Sequence, residues 1–297
     1  MPATNQPLSF VKGHGTGNDF VVILDREGQI ELPEERVAAI SDRRFGVGAD
    51  GILRVVPAKY IAEAASEPAD DLWFMDYRNA DGSIAEMCGN GARVFAKFLL
   101  DNELVDTETT DGAGSFQFES RAGVHDAQIG TDGIAINMGP PSPGPAGSST
   151  EGQASDITVT VGERSWPAQA WWMPNPHAVV MVDSLDDAGT LMDAPKVDAG
   201  PLFPDGQNVE FMVDTSTDAE QLSSSIRIFE RGVGETLSCG TGACAAALAL
   251  RELHGVAGPG DVAVSVPGGE VCVKVDDEGD VWLIGPAEFV AEGTLYL

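Results

Sequence analysis

Residues 88–95 read Cys-Gly-Asn-Gly-Ala-Arg-Val-Phe, and residues 239–246 repeat the opening pattern as Cys-Gly-Thr-Gly-Ala-Cys-Ala-Ala. Apolar side chains follow the first pattern at helical spacing on one face, whereas the run after the second pattern is apolar all round. Gly255 can end the second run, since glycine commonly terminates helices. The sequence therefore predicts one amphipathic helix and one buried helix, each starting just after a cysteine.

The residues after these cysteines favour the start of a helix. Asn90 and Thr241 are good N-cap types, and the flanking glycines let a ligand approach the free backbone N–H groups of the first turn. The helix dipole adds partial positive charge there, which favours a thiolate over a thiol and also favours a bound carboxylate. We therefore expect an anion site at each of the two helix starts.

Three landmarks occur twice, in the same order, along the chain. Asn18 before Asp-Phe-Val-Val-Ile matches Asn175 before Pro-His-Ala-Val-Val, and the two Cys-Gly-x-Gly patterns match each other. Met138-Gly-Pro matches Ile284-Gly-Pro. Each copy follows its counterpart by about 150 residues, which indicates one domain plan used twice, with chance similarity of glycine-rich turns as the alternative. Two like domains that face each other would enclose a cleft, where small ligands tend to bind.

The apolar pattern predicts mostly strands, in two sets separated by a segment rich in Pro, Gly and Ser. Strands are predicted at residues 20–24, 52–56, 72–78, 115–120, 134–138, 157–161, 178–182, 209–213, 226–230, 262–266, 270–275 and 280–285. Residues 33–44 are predicted as a third helix. Residues 140–156 are predicted as an exposed linker between halves at 1–139 and 157–297. An alternative domain division has the last residues of the chain packing on the N-terminal half.

The composition disfavours several classes of protein. Lys and Arg total 17 against 47 Asp and Glu, a formal charge of -30, which argues against nucleic acid or an anionic membrane surface as partner. A solvated acidic surface explains this charge without any catalytic role. No stretch approaches the roughly 20 apolar residues of a membrane span, and the N-terminal residues lack the features of a secretory signal. We expect a cytoplasmic protein.

Cys88 and Cys239 have the properties needed to invert an amino-acid stereocentre. Removal of the α-proton creates negative charge that spreads into the substrate carboxylate, so N–H donors aimed at that carboxylate stabilise the transition state. Inversion needs a base on one face and an acid on the other, and the roles swap when the reaction runs backwards. One thiolate and one thiol from two repeated halves meet this need without a cofactor.

Other roles for the cysteines are open at this point. Four cysteines without a CxxC pair indicate neither a disulfide framework nor a zinc site, and Cys244 and Cys272 are predicted to lie in the core. Cys88 or Cys239 with His177 could form the nucleophile and base of an acyl-transfer enzyme, although this gives no reason for a duplicated cysteine pattern. A noncatalytic amino-acid-binding protein is a third hypothesis.

A set of polar and glycine-rich motifs is spread over nearly the whole chain: Gly17-Asn18-Asp19-Phe20, Arg44-Phe45-Gly46-Val47-Gly48-Ala49-Asp50-Gly51, Asn79-Ala80-Asp81-Gly82-Ser83, Glu86-Met87-Cys88-Gly89-Asn90-Gly91-Ala92-Arg93, Asn175-Pro176-His177, Asn208-Val209-Glu210, Glu230-Arg231-Gly232-Val233-Gly234-Glu235-Thr236 and Cys239-Gly240-Thr241-Gly242. In these motifs and their order the chain resembles the diaminopimelate epimerase family. The resemblance implies an α+β fold of two pseudo-symmetric domains, each a mixed, mostly antiparallel sheet around a central helix, with the active site in the interdomain cleft. It also implies interconversion of LL- and meso-2,6-diaminopimelate without pyridoxal phosphate or a metal, in lysine and peptidoglycan precursor biosynthesis.

The resemblance implies a role for each matched residue. Cys88 and Cys239 match the two acid/base residues, while Gly89, Asn90, Gly240 and Thr241 match the donors to the carboxylate at the reacting end. The residues that match positions holding the substrate's amino and carboxylate groups are Asn18, Asn79, Asn175, Asn208, Glu230 and Arg231. An Arg fork suits a distal carboxylate, and an acid with amide oxygens suits a distal ammonium. His177 matches a histidine near the family's site and is given a supporting role.

One position departs from the pattern of many family members. Gly51 follows Asp50 where they have Gln, so no side chain is available to contact substrate there. Proline and hydroxyproline racemases share the two-domain plan, but they need no clamp for a second amino-acid head, so Glu230 and Arg231 disfavour them. We expect a small-molecule substrate and neither nucleic acid nor membrane as partner, and a homodimer is a hypothesis for the assembly.

Overall fold

The computed structural model describes residues 7–64, 71–110, 113–142, 157–218 and 221–296. The chain forms two compact units, called unit 1 (Met1–Ile136 with Pro286–Leu297) and unit 2 (Asn137–Gly285). Residues 143–156 of the predicted linker lie outside the described residues. Each unit combines β-strands with one long buried helix, which confirms the predicted α+β class.

Unit 1 is a mixed sheet whose strands come mainly from the first half of the chain. Its described strands are β1 (Leu8–Gly15), β2 (Asn18–Leu24), β3 (Gly51–Pro57), β4 (Trp73–Asn79), β5 (Glu108–Thr110), β6 (Ala113–Ser120), β7 (Gly123–Gly130), β8 (Gly133–Asn137) and β19 (Glu288–Leu295), and its described α-helices are α1 (Glu34–Ser41) and α2 (Gly89–Asp101). β1 pairs antiparallel with β2 and β19, β2 runs parallel to β3, and β3 pairs antiparallel with β4. β4 runs parallel to β6, which pairs antiparallel with β5 and β7, and β7 pairs antiparallel with β8.

Unit 2 is built in the same way from the second half of the chain. Its described strands are β9 (Thr158–Val161), β10 (Arg164–Trp172), β11 (Pro176–Met181), β12 (Lys196–Asp198), β13 (Asn208–Asp214), β14 (Leu222–Glu230), β15 (Gly234–Thr236), β16 (Gly260–Val266), β17 (Gly269–Val275) and β18 (Val281–Gly285), and its described α-helix is α3 (Gly240–Leu253). β10 pairs antiparallel with β9 and β11, β9 with β12, β13 with β14, β14 with β15, β16 with β17 and β17 with β18. β11 runs parallel to β13, and β14 runs parallel to β16.

The two units repeat one order of strand pairs. In unit 1 the neighbours in the series β1, β2, β3, β4, β6, β7 and β8 are antiparallel, parallel, antiparallel, parallel, antiparallel and antiparallel. The series β10, β11, β13, β14, β16, β17 and β18 in unit 2 has the same order of pairs. Helix α2 follows β4 in the chain, and helix α3 follows β14 and the short β15. This correspondence agrees with the single domain plan indicated by the three repeated landmarks.

Each long helix lies at the centre of its own unit. Helix α2 contacts β1, β2, β3 and β4, whereas α3 contacts β10, β11, β13, β14, β16, β17 and β18. Helix α3 is buried on nearly every side, as its apolar sequence predicts, because its alanines let the strands approach closely. Gly255 follows the helix end, as predicted, and its φ of +65° is the left-handed conformation that glycine adopts readily at such positions.

Helix α1 is shorter than the sequence predicts. It ends at Ser41, not at residue 44, because the Asp42 carboxylate accepts hydrogen bonds from the backbone N–H groups of Arg44 and Phe45, both at 2.7 Å. These bonds offer the backbone a turn in place of the next helical step. The chain then folds back, and the N–H groups of residues 47 and 48 donate to the Ile40 carbonyl. This turn carries Asp50 to the beginning of β2.

Every strand predicted from the sequence overlaps a strand of the structure. The prediction omitted β1, β5, β7, β10, β12, β15 and β19. Within the described residues, no helix has the length and apolar character needed to cross a membrane.

The return turn after α1 depends on a glycine with no room for a side chain. A Cβ on Gly46 would collide with the carbonyl oxygens of Ala39 and Ile40. We therefore expect Gly46→Ala to lower the free energy of unfolding by about 1–3 kcal/mol, as overpacking does. Urea unfolding followed by circular dichroism measures this change. Gly130→Ala is the matched control, since a Cβ there meets nothing within 4 Å, and equal unfolding midpoints for the two variants would contradict the prediction.

Candidate active site

Cys88 occupies the N-cap position of α2. Its backbone is extended, at φ -144° and ψ 118°, and its Sγ atom accepts a hydrogen bond from the N–H of Gly91 at 3.5 Å. The prediction that Asn90 caps this helix is wrong, because the helix already begins at Gly89. The cysteine itself therefore takes the place at which a helix start stabilises negative charge.

Two of the predicted substrate-binding asparagines lie beside Cys88. The Asn18 Oδ1 atom is 3.5 Å from the Cys88 Sγ and accepts a hydrogen bond from the Asn90 Nδ2 at 3.4 Å. The Asn18 Nδ2 donates to an Asp50 carboxylate oxygen at 2.8 Å, so the amide is fixed with its oxygen toward the cysteine. The structure thus brings together Cys88, Asn18 and Asn90, which the sequence had placed in one site.

An ionic cluster holds Asp50 in place. Arg43 donates to Asp50 and to Asp19, both at 2.7 Å, and Lys12 lies 2.5 Å from Asp19. Burial opposes ionisation of Asp19, but the hydrogen bonds and charges of Arg43 and Lys12 prevail and hold its pKa well below its usual range. Asp50 was not predicted as a site residue. Its position in the Gly-Val-Gly-Ala-Asp motif was the signal that could have found it.

Asn79 belongs to a different hydrogen-bonded turn. It ends β4, opposite Gly51 on β3, and its Nδ2 donates to the Ser83 hydroxyl at 3.0 Å. Ser83 in turn donates to Asp81 at 2.6 Å, and this bond lowers the pKa of Asp81. At Gly51 a Cβ would meet the backbone of Arg78 and, at 2.7 Å, the ring of Tyr77. Gly51, which departs from the family pattern, therefore lies where β3 and β4 pack too closely for a side chain.

Cys239 takes the same position in unit 2 as Cys88 takes in unit 1. It is the N-cap of α3, at φ -125° and ψ 117°, so the predicted cap Thr241 is again wrong by two residues. The Thr241 hydroxyl lies 3.4 Å from the Cys239 Sγ. Gly240, like Gly89 in α2, is the first residue of its helix, and both glycines are buried. Both predicted cysteines are free thiols.

The pKa of the Cys239 thiol is raised well above its usual range. Burial is the largest cause, followed by the charges of Glu230 and Glu210, and the hydrogen bond with Thr241 opposes them. A helix start stabilises an anion by only about 0.3–1 kcal/mol. Full burial can raise a pKa by up to about 3–5 units, each of about 1.4 kcal/mol. In the free protein, burial and the two carboxylates therefore outweigh the stabilisation that the helix start offers to a Cys239 thiolate.

The other two cysteines differ from each other. Cys244 is fully buried, as predicted. Cys272 is only half-buried, because on β17 it alternates with Val271 and Val273, whose side chains fill the core. The prediction that Cys272 lies in the core is wrong, and the cause is the side-chain alternation along a strand.

His177 lies in the sheet beneath α3. Its Nδ1 is 2.7 Å from the Oε1 of Glu210, its Nε2 is 3.1 Å from the Oδ1 of Asn175, and the side chains of His177 and Glu210 are fully buried. The structure thus joins two predicted site residues, Asn175 and His177, directly, and it adds Glu210, a motif residue without a predicted role, as the second partner of the His177 ring. A carboxylate inside the apolar run Val-Glu-Phe was the available signal.

The remaining predicted residues surround a loop of unit 2. The Asn208 Oδ1 accepts from the backbone N–H of Arg231 at 2.9 Å, and the Arg231 Nη1 donates to the Asp205 carbonyl at 2.8 Å. The Glu230 Oε1 accepts from the Thr236 hydroxyl at 2.5 Å. Consecutive residues of this loop thus carry the exposed guanidinium of Arg231 and the hydrogen-bonded carboxylate of Glu230. The carboxylate and the ammonium of an amino acid need groups of these two charges as partners.

Known proteins match this chain over most of its length. The sequence model of the family described as "Diaminopimelate epimerase" matches residues 10–143 and 170–290. A diaminopimelate epimerase of Streptomyces coelicolor is 44% identical over 292 residues, which cover 96% of this chain and 94% of the relative. A diaminopimelate epimerase of Corynebacterium glutamicum strain R is 42% identical over 302 residues, which cover 99% of this chain and 100% of the relative.

Solved structures of more distant proteins share the fold. A phenazine biosynthesis protein of the PhzF family from Bacillus anthracis superposes with a TM-score of 0.66 at 19% identity, over 98% of this chain and 100% of its own. A hydroxyproline epimerase from Agrobacterium vitis superposes with a TM-score of 0.63 at 15% identity, over 100% of this chain and 94% of its own. Because the family model matches most of the sequence and the relatives above exceed 40% identity over nearly full length, this chain belongs to the diaminopimelate epimerase family.

Proposed function

We propose that this protein is an amino-acid epimerase that interconverts LL- and meso-2,6-diaminopimelate, with Cys88 and Cys239 as its two acid/base groups. The observation that carries the proposal is the pair of free cysteines, each at the N-cap of the central helix of its unit, in a chain of this family. Relatives named diaminopimelate epimerase match this chain over nearly its whole length, which supports the choice of substrate.

In the proposed reaction a proton is removed from one face of the α-carbon and another is delivered to the opposite face. The thiolate of one cysteine takes the α-proton, and the electron pair of the broken C–H bond moves toward the substrate carboxylate. The thiol of the other cysteine then gives its proton to carbon and becomes the thiolate. Each turnover exchanges the charge states of Cys88 and Cys239, and the reverse reaction restores them.

The first turns of the two helices are proposed to stabilise the charge that develops. The backbone N–H groups that begin an α-helix have no partner within the helix, and here they belong to Gly89, Asn90, Gly240 and Thr241. Donors aimed at the carboxylate count for more in the transition state, where that group carries additional charge. The small glycines leave room for a substrate to approach this backbone.

Six polar side chains are proposed to hold the substrate's amino and carboxylate groups. Those residues are Asn18, Asn79, Asn175, Asn208, Glu230 and Arg231, and His177 supports them through its bond to Asn175. A second amino-acid head presents one carboxylate and one ammonium, and Arg231 and Glu230 supply the two opposite charges. The cytoplasmic location, the homodimer and the place in lysine and peptidoglycan precursor biosynthesis stay predictions.

The proposed substrate can be tested by comparing amino acids that lack one of these groups. We expect reduced protein without added cofactor to convert LL-2,6-diaminopimelate to the meso form, as measured by chiral chromatography. L-Lysine keeps the distal ammonium but lacks the distal carboxylate, so we expect its racemisation to be slower by about a thousandfold or more, since polar groups of the site are left unpaired. Faster turnover of L-proline or trans-4-hydroxy-L-proline than of diaminopimelate would instead make this chain a racemase of cyclic amino acids.

The two-thiol mechanism predicts that kcat for full inversion depends on both Cys88 and Cys239. Cys88→Ser and Cys239→Ser should each lower kcat for full inversion by about a hundredfold or more, because a hydroxyl is a poor base at neutral pH. Cys272→Ser, a half-buried cysteine on a strand, is the control and should keep wild-type kcat. Calorimetry should show that the inactive variants still bind diaminopimelate. Wild-type turnover in either active-site variant would exclude the two-thiol mechanism.

The hydrogen bond between Asp50 and Asn18 predicts a positioning effect in unit 1. Asp50→Ala should lower kcat/KM by about tenfold or more, because the Asn18 amide loses the acceptor that fixes its orientation beside Cys88. Asp50→Asn keeps an acceptor oxygen and should recover part of this loss. Asp126→Ala removes a comparable carboxylate, which accepts from the Gln117 amide at 2.8 Å, and should leave kcat/KM unchanged. Equal kcat/KM for Asp50→Ala and Asp126→Ala would show that Asp50 does not position Asn18.

A further inference from the structure

The two units differ at one corresponding place beneath their central helices. In unit 1, Val22 on β2 pairs with Leu53 on β3, and Phe20 pairs with Gly51. A Cβ on Gly91, the third residue of α2, would lie 3.3 Å from the Phe20 ring and 3.4 Å from Leu53. The start of α2 therefore rests on two apolar side chains.

The same register in unit 2 places ionisable groups there. Val179 on β11 pairs with Glu210 on β13, and His177 pairs with Asn208. A Cβ on Gly242, the third residue of α3, would lie 2.7 Å from the Glu210 Oε1. Because the strand pairs correspond, His177 and Glu210 stand where unit 1 has Phe20 and Leu53. The start of α3 therefore rests on a carboxylate.

The Glu210 carboxylate is enclosed by its surroundings. It has no solvent exposure, its Oε1 bonds the His177 ring at 2.7 Å, and its Oε2 has no hydrogen-bond partner among the described residues. A buried carboxylate with one oxygen unsatisfied costs free energy, since polar groups lose water on burial. Such an arrangement is expected where the charge serves a function.

Cys239 is the titratable group above this carboxylate. A Cβ on Gly242 would be 3.4 Å from the Cys239 Cβ, so the cysteine and the Glu210 carboxylate adjoin the same glycine. The charged groups that act on Cys239 are Glu230, from the end of β14, and Glu210, from β13, which His177 of β11 faces. Both carboxylates raise the pKa of the thiol, in addition to burial.

We propose that Glu210 is a positioning residue that fixes the ring of His177 and that, together with burial and the charge of Glu230, keeps Cys239 protonated in the free protein. Cys239 then enters the reaction as the proton donor and Cys88 as the base. The catalytic consequence rests on the proposed two-thiol function, whereas the charge state of Cys239 is a property of the free protein. Cys88 and Cys239 thus have similar backbone positions in the two units, but the charged groups around them differ.

The test is the pH dependence of iodoacetamide alkylation, with Cys88 and Cys239 followed separately by peptide mapping. In the wild-type protein the inflection for Cys239 should lie at higher pH than that for Cys88. In Glu210→Gln, which keeps the size of the side chain and removes its charge, the Cys239 inflection should fall by about one pH unit or more. The Cys88 inflection should not change, and it serves as an internal control.

A second carboxylate on β13 gives a matched control variant. Asp214 bonds the His254 ring at 2.7 Å, so Asp214→Asn removes a carboxylate from a similar pair away from Cys239. We expect this variant to keep the wild-type inflections. Glu210→Asp keeps the charge and should keep the Cys239 inflection closer to the wild-type value than Glu210→Gln does.

The pH dependence of kcat/KM separates an electrostatic role of Glu210 from a purely structural one, since loss of a structural contact would not shift the profile along the pH axis. Because Cys239 must be protonated to donate, the alkaline limb of the kcat/KM profile for LL-2,6-diaminopimelate should move to lower pH in Glu210→Gln. An unchanged Cys239 inflection in folded Glu210→Gln would overturn the proposal. A wild-type inflection for Cys239 at or below that for Cys88 would also overturn it, and this measurement needs no variant to fold. Alkylation does not require turnover. If the protein showed the expected inflections but no epimerase activity, the proposed function would be wrong and the role of Glu210 in the charge state of Cys239 would still hold.

Discussion

The structure of each unit depends on how closely the first turn of its central helix approaches the sheet. In both helices the third residue is a glycine, Gly91 or Gly242. The space that its side chain would need is bordered by Phe20 and Leu53 in unit 1 and by Glu210 in unit 2. A larger residue would push the helix start away from the sheet, and the N-cap cysteine would move with it. Close packing therefore fixes the cysteine, its backbone donors and its neighbours together.

The repeated frame does not make the two cysteines equivalent. Cys88 lies beside Asn18, whose amide is oriented by Asp50 and an ionic cluster, and its helix rests on apolar side chains. Cys239 is more deeply buried, and its helix rests on Glu210. A proton donor and a base require opposite charge states at the start of a reaction. In the proposed reaction, the differences between the two surroundings supply that contrast within one symmetric plan.

The local features of this site were readable from the sequence, and the long-range ones were not. The Cys-Gly-x-Gly patterns located both helix starts because glycines and the apolar runs after them are local signals. Glu210 was missed as a participant because its partner His177 lies on another strand, and only the register of β11 and β13 brings them together. The strand β10 was missed because Pro167 interrupts its pattern, and β19 because most of its side chains are exposed. The end of α1 was misplaced because the side chain of Asp42 competes with the helix.

The central claim is that two separate groups, one on each face of the α-carbon, remove and deliver the proton. The most direct measurement is the isotope content of the product when wild-type protein acts on LL-2,6-diaminopimelate in deuterated water, read by proton NMR early in the reaction. A thiol holds a single proton that equilibrates with solvent in the free protein, so the account predicts deuterium at the inverted carbon of the meso product while the remaining LL substrate keeps its own proton. A meso product that retains the substrate's proton at that carbon would show that one group carries it between the faces, and would contradict the account.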